Sequence, residues 1–127
     1  MNSIFNYDVS YVTDQAAIAS HKLIGTGTHL EADRLAVEAT RLALQKLNIS
    51  AKISASEGER DQSHMLYYDE IYESSIAQDN NTSNIISSVK YLDIAIDPLE
   101  GTNILARNSY GALSVIAIGE SLLRVPD

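Results

Sequence analysis

Two short stretches of this 127-residue chain concentrate the side chains suited to chemistry: IDPLEGTN, residues 96–103, and SEGERD, residues 56–61. In the first, Asp97 closes a β-rich run and Glu100 follows three residues later, just before Gly101 and Thr102. Two carboxylates at a strand end can converge on one cation, and hard oxygen donors of this kind suit Mg²⁺ or Mn²⁺. A glycine beside them lets backbone N–H groups approach an anion such as phosphate, and the Thr102 hydroxyl can orient a water. The competing reading is a type I turn, in which Asp favours the first position and Pro the second. In the second stretch Glu57, Glu59 and Asp61 alternate, so an extended backbone aims all three to one side. There they repel unless a cation or Arg60 offsets them. A solvated acidic loop explains the same pattern.

The remaining candidates have ordinary explanations. Asp33 falls in the opening turns of a helical stretch, where a carboxylate favours the helix dipole. His21, His29 and His64 lack the spacing of a zinc site and read as surface or packing histidines. Gly25 and Gly27 have neither the preceding strand nor the third glycine of a dinucleotide loop, and read as a turn. With no cysteine, disulfides, thiolate metal sites and cysteine nucleophiles are excluded together. The net charge of −8, from 9 basic and 17 acidic residues, repels a phosphate backbone, so no nucleic-acid partner is expected. No stretch approaches the roughly 18 apolar residues of a membrane span. MNSIFNYDVS has no basic region leading into an apolar run, and the expected compartment is the cytoplasm.

These residues need elements to position them. Apolar residues recur at Val12, Ala16, Ala19 and Leu23, predicting a helix from Val9 to Leu23 that ends at Gly25 and Gly27. Thr28 and Glu31 have the spacing of a capping box. A second helix follows, with a stripe of Ala32, Leu35, Ala36, Ala39, Leu42, Ala43 and Leu47, and a stop at Asn48. Residues 52–56 read as a short strand, while MLYYDEIYESSI fits strand or helix. Residues 74–90, rich in Ser and Asn, read as a surface loop without chemistry. YLDIAI and GALSVIAI read as buried strands, the first ending at Asp-Pro. Two helices before a set of strands predict a layered α and β domain, with no internal repeat.

Taken together, VTDQAAIAS, EADRLAVEATRLAL, EGERD with HMLYYDE, DIAIDPLEGTN and GALSVIAIGE resemble the class II fructose-1,6-bisphosphatases, a branch of the lithium-sensitive, metal-dependent phosphatases. The order and spacing of EGERD and DPLEGT are far more specific than either motif alone. The resemblance implies an α+β fold, a layered α-β sandwich with two N-terminal helices packed on a mixed β-sheet. Residues 1–127 would form the N-terminal metal-binding domain, without the C-terminal half. It further implies Mn²⁺ or Mg²⁺ held by Asp33, Glu57, Asp97 and Glu100. Thr102 with Asp33 would orient the attacking water, Asp61 is a further catalytic candidate, and Glu100, Gly101 and Thr102 would line the phosphate. The implied substrate is a sugar phosphate, the 1-phosphate of fructose 1,6-bisphosphate in gluconeogenesis, and a homo-oligomer is expected. Related sugar or inositol phosphatases, and a non-catalytic remnant that folds and self-associates, are the alternatives. The sequence departs from the family pattern at residues 25–29, GTGTH in place of a GRGDK-like loop, and at Ser56 in place of glycine. Residues 74–90 look like an insertion.

Overall fold

The computed structural model describes residues 3–47, 49–56, 66–73 and 91–122. Helices α1 (Ser3–His21) and α2 (His29–Lys46) come first, followed by strands β1 (Ala51–Ala55) and β2 (Ile71–Tyr72). Strand β3 (Leu92–Glu100), the short helix α3 (Thr102–Ala106) and strand β4 (Leu113–Gly119) complete the described elements. The strands form one mixed sheet in the order β2-β1-β3-β4, with β1 and β3 parallel and the other two pairings antiparallel. This is the layered α+β architecture the two helical stripes and the β-rich runs imply.

Alternation along β3 sets the layers. Ile94 and Ile96 are buried and pair with Ile118 and Ile116 of β4. Since side chains alternate across a strand, these residues share the face covered by the helices. They pack with Val12, Val37, Leu44, Ala51 and Ile53 in the main core, each isoleucine contributing roughly 1.5–3 kcal/mol of apolar burial. A second, smaller cluster matters more for the site. Ala16 of α1 and Ala32 and Ala36 of α2 are fully buried against Leu99 and Leu105. Their small side chains let the two helices close down on the segment that follows β3.

Several local expectations change. Helix α1 begins at Ser3, six residues before the readable apolar stripe, and its buried line is Val12, Ala16 and Ser20. The Ser20 hydroxyl tolerates burial by donating to the Ala16 carbonyl at 3.0 Å. Helix α2 keeps its expected length, but its buried arc is rotated. Val37, Thr40 and Leu44 are inside, whereas Leu42 is 54% exposed. Alanine and leucine occur nearly all round this helix, so several stripes fit its sequence and tertiary packing chooses among them. The capping box does not form. The Thr28 side chain makes no cap bond and instead lies 2.6 Å from the Thr26 hydroxyl. The Glu31 carboxylate turns to Arg34, accepting from Nε at 2.9 Å and Nη2 at 2.7 Å. A bidentate charged partner outcompetes a single backbone N–H. That guanidinium holds the Glu31 carboxyl below its ordinary range.

The MLYYDEIYESSI segment, where described, is neither a full strand nor a helix. Asp69 takes a left-handed turn, with φ of 65°, and leads into the two-residue β2. The buried-strand expectation for GALSVIAI is corrected too. In β4, Leu113 and Val115 are 51% and 50% exposed, because the described residues cover only one face of this strand. The loop expected over residues 74–90 lies outside the described residues, as does Asn48.

Candidate functional site

The DPLE segment is strand, not turn. β3 runs through Asp97 and Pro98 to Glu100, and the chain reverses only at Gly101. Pairing with β4 shows how the two acids are placed relative to each other. Asp97 is opposite Val115 and Glu100 is opposite Leu113, so three steps along β3 match two along β4. The extra residue is a β-bulge around Pro98, which cannot donate to the ladder. Without it, residues three apart would point to opposite faces. With it, Asp97 and Glu100 share the face on which Val115 and Leu113 stand. The Asp97 carboxylate is tied down as well, accepting from the Leu99 N–H at 3.1 Å.

Gly101 then takes φ of 83°, the left-handed conformation that glycine adopts without penalty. A side chain there would meet Ile104 Cδ1 at 3.1 Å and the Ala112 Cα at 3.4 Å. The α3 turn that follows is pinned by the α1–α2 loop. Gly25 N–H donates to the Leu105 carbonyl and Gly27 N–H to the Ala106 carbonyl, each at 3.0 Å. The two glycines, a plain turn by sequence, thus satisfy carbonyls at the end of α3. They also fix the start of α2 against the end of β3.

Between these elements lies a cavity of about 360 Å³ walled by His29, Leu30, Asp33, Leu99, Glu100, Gly101, Thr102 and Asn103. Four expected site residues, Asp33, Glu100, Gly101 and Thr102, therefore meet around one space. Asp97 stands one bulge back along β3 and is not in that wall. Glu57 and Asp61 lie outside the described residues. His29 and Asn103 are additions. His29 is four residues before Asp33 on one helix, a spacing that puts both on one face, and that signal was legible. The wall contains two carboxylates and no Lys or Arg.

Ser56, where the family pattern has glycine, donates its hydroxyl to the Leu66 carbonyl at 2.8 Å. It thereby ties the end of β1 to Leu66. A larger cavity of about 470 Å³ opens beyond Leu99, but no carboxylate is among its lining residues. It offers no donor set for a cation.

A different carboxylate, Glu70, is held by partners within the fold. It accepts from Arg41 Nε at 3.1 Å and Nη2 at 3.2 Å, from the Tyr72 hydroxyl at 2.9 Å, and from the Tyr67 N–H at 3.2 Å. Burial, with the adjacent Glu70 charge, pushes the Tyr72 phenol well above its ordinary range. Burial opposes the Arg41 charge, but the bond and charge of Glu70 outweigh it and raise the guanidinium. This network clamps α2 to β2.

The donors in the cavity wall are hard oxygens, right in kind for Mg²⁺ or Mn²⁺. In number they fall short: among the described residues, no group of three His, Cys, Asp or Glu is placed to hold a metal ion. Nor is any helix among them long and apolar enough to cross a membrane.

A mixed sheet under two helices is the architecture that the resemblance implied, and a bulged strand brings the paired acids to the Gly-Thr turn. The chain belongs to the family described as bacterial fructose-1,6-bisphosphatase, glpX-encoded, whose sequence profile matches residues 4–127. Its relatives include a D-fructose 1,6-bisphosphatase class 2/sedoheptulose 1,7-bisphosphatase of Trichodesmium erythraeum, 37% identical over 129 residues. Proteins of the same name from Synechococcus elongatus and Prochlorococcus marinus (strain MIT 9515) are each 40% identical, over 131 and 129 residues. Each match takes in all of this chain but only 37%, 37% and 35% of the relative's own length.

Proposed function

We propose that this chain carries the cation- and phosphate-binding part of a phosphatase acting on the 1-phosphate of fructose 1,6-bisphosphate. The observation that carries this reading is the shared cavity, in which Asp33 of α2 faces the Glu100-Gly101-Thr102 turn. Hydrolysis of a phosphate monoester brings water to an already anionic group, so positioning and charge neutralisation supply most of the catalysis. Asp33 and Glu100, with Asp97 and Glu57, are the proposed ligands of Mg²⁺ or Mn²⁺. A divalent ion, when bound, neutralises phosphate oxygens and acidifies the attacking water. The chain's own residues do the placing. The Gly101 backbone, free of a Cβ, lets a phosphoryl group come close, and the Thr102 hydroxyl with the Asp33 carboxylate orients the water. Asp61 remains a proposed further acid. The names of the relatives support the substrate, with sedoheptulose 1,7-bisphosphate as a second one.

The test is a chimera in which this chain replaces the corresponding portion of the Synechococcus elongatus relative. Phosphate release from fructose 1,6-bisphosphate is expected with Mn²⁺ and is expected to fall at least 100-fold on Asp97→Asn. A folded chimera with full turnover in the Asp97→Asn form, or after metal is stripped, contradicts the reading.

A further inference from the structure

Helix α3 is little more than one turn, the five residues Thr102–Ala106, too short to hold a direction of its own. Its direction is set from outside. The Leu105 carbonyl accepts from the Gly25 N–H and from the Asn108 N–H, each at 3.0 Å, and the Ala106 carbonyl accepts from the Gly27 N–H at 3.0 Å. The chain then leaves α3 through Asn108, which takes the left-handed φ of 55° and closes over Gly25. A Cβ added at Gly25 would lie 3.3 Å from the Asn108 Cβ, whereas one added at Gly27 would meet nothing within 4 Å. In backbone the two glycines are otherwise matched, with φ of 74° and 78°.

We propose that Gly25 is a positioning residue for the pair Thr102 and Asp33. Its bare Cα lets Asn108 seat on the α1–α2 loop, and this seat fixes how the Thr102 hydroxyl stands to the Asp33 carboxylate. The proposal rests on the reading that these two groups orient the attacking water, and it adds a residue outside the cavity wall.

The connection is short at both ends. From Gly27 the chain reaches His29, the first residue of α2, in two steps, and Asp33 follows about one helical turn later. Thr102 and Leu105 lie within one turn of α3. One loop therefore holds both of the elements that carry the pair. The loop is itself tied down, since the Thr26 hydroxyl donates to the Leu23 carbonyl at 2.8 Å and lies 2.6 Å from the Thr28 hydroxyl. A methyl at Gly25 would strike the Asn108 Cβ, which is fixed to the backbone and cannot swing aside as a side-chain tip can. The end of α3 must then give by a few tenths of an ångström, and rates fall steeply when oriented groups are displaced.

The two glycines supply the test. Gly25→Ala and Gly27→Ala both place alanine in a left-handed residue, so urea unfolding is expected to show similar losses of stability. Turnover is expected to separate them. In the chimera with the Synechococcus elongatus relative, Gly25→Ala is expected to lower kcat roughly fivefold or more while KM changes by less than about twofold. Gly27→Ala is expected to leave both near their starting values. Asn108→Gly removes the atom that the new methyl strikes and tolerates the left-handed φ, so the double variant Gly25→Ala/Asn108→Gly is expected to recover kcat. General destabilisation would not be repaired in this way. A second readout needs no activity: in the 127-residue chain, the Thr102 and Asp33 amide resonances are expected to shift in Gly25→Ala and to return in the double variant. Equal turnover in the two alanine variants, or a Gly25→Ala loss that Asn108→Gly does not repair, overturns the inference. A chimera without Asp97-dependent turnover overturns the phosphatase reading instead, and the amides alone then decide the positioning role, which unmoved Thr102 and Asp33 resonances would overturn.

Discussion

Glu70 and Glu100 are both glutamates at strand ends, and the structure treats them oppositely. Glu70 is enclosed by a guanidinium, a phenol and a backbone N–H, and its side chain is 14% exposed. Glu100 is exposed, and it borders a cavity whose wall holds a second carboxylate, one imidazole and no Lys or Arg. A carboxylate given its own cation within the fold is a structural clamp. Carboxylates gathered around an open space suit, on the proposed reading, a cation from outside, since like charges raise each other's energy until something neutralises them. On the proposed reading, the acidic surplus that gives this chain its net charge of −8 has two different uses.

The sharpest way to break the comparison is to remove the clamp's cation. Arg41→Ala leaves Glu70 without its charged partner and is expected to cost about 2–3 kcal/mol, somewhat below the range for fully buried pairs because the two side chains keep 23% and 14% exposure. Urea unfolding at one protein concentration measures it through the midpoint, with the slope unchanged. At the cavity the backbone matters more than the charge. Gly101→Ala forces a side chain into a left-handed residue against Ile104 and Ala112, and is expected to cost about 1–2 kcal/mol by the same assay. The smallest expected effect is the most telling. Glu100→Gln should change stability by no more than about 0.5 kcal/mol in either direction, as for an exposed surface substitution. A loss near that of Arg41→Ala would make Glu100 a structural clamp like Glu70.

Much of the architecture was legible because it rests on period and order. The α2 helix ends within two residues of its expected stop, and β1, β3 and β4 overlap the expected runs. What escaped reading depends on partners far along the chain. The bulge that aligns Asp97 with Glu100 exists only in the register with β4, so DPLE in isolation resembles a turn. Arg41 and Glu70 are 29 residues apart, and no local pattern joins them. Gly25 and Gly27 gave a turn, but not the carbonyls of α3 they would bond. His29 was set aside for want of a zinc pattern, although its four-residue offset from Asp33 already placed both on one helical face.

The central claim is that the space between α2 and the β3–α3 turn is a divalent-cation site, and Mn²⁺ titration of the 127-residue chain followed by amide NMR tests it most directly. Paramagnetic broadening marks the residues around a bound ion even when binding is weak. The expected result is broadening centred on Asp33, Glu100, Gly101 and Thr102 at substoichiometric Mn²⁺, removed by Asp33→Asn. Broadening centred on another acidic surface, such as Glu31 and Glu38 of α2, or a pattern at the cavity that Asp33→Asn leaves unchanged, would contradict the assignment.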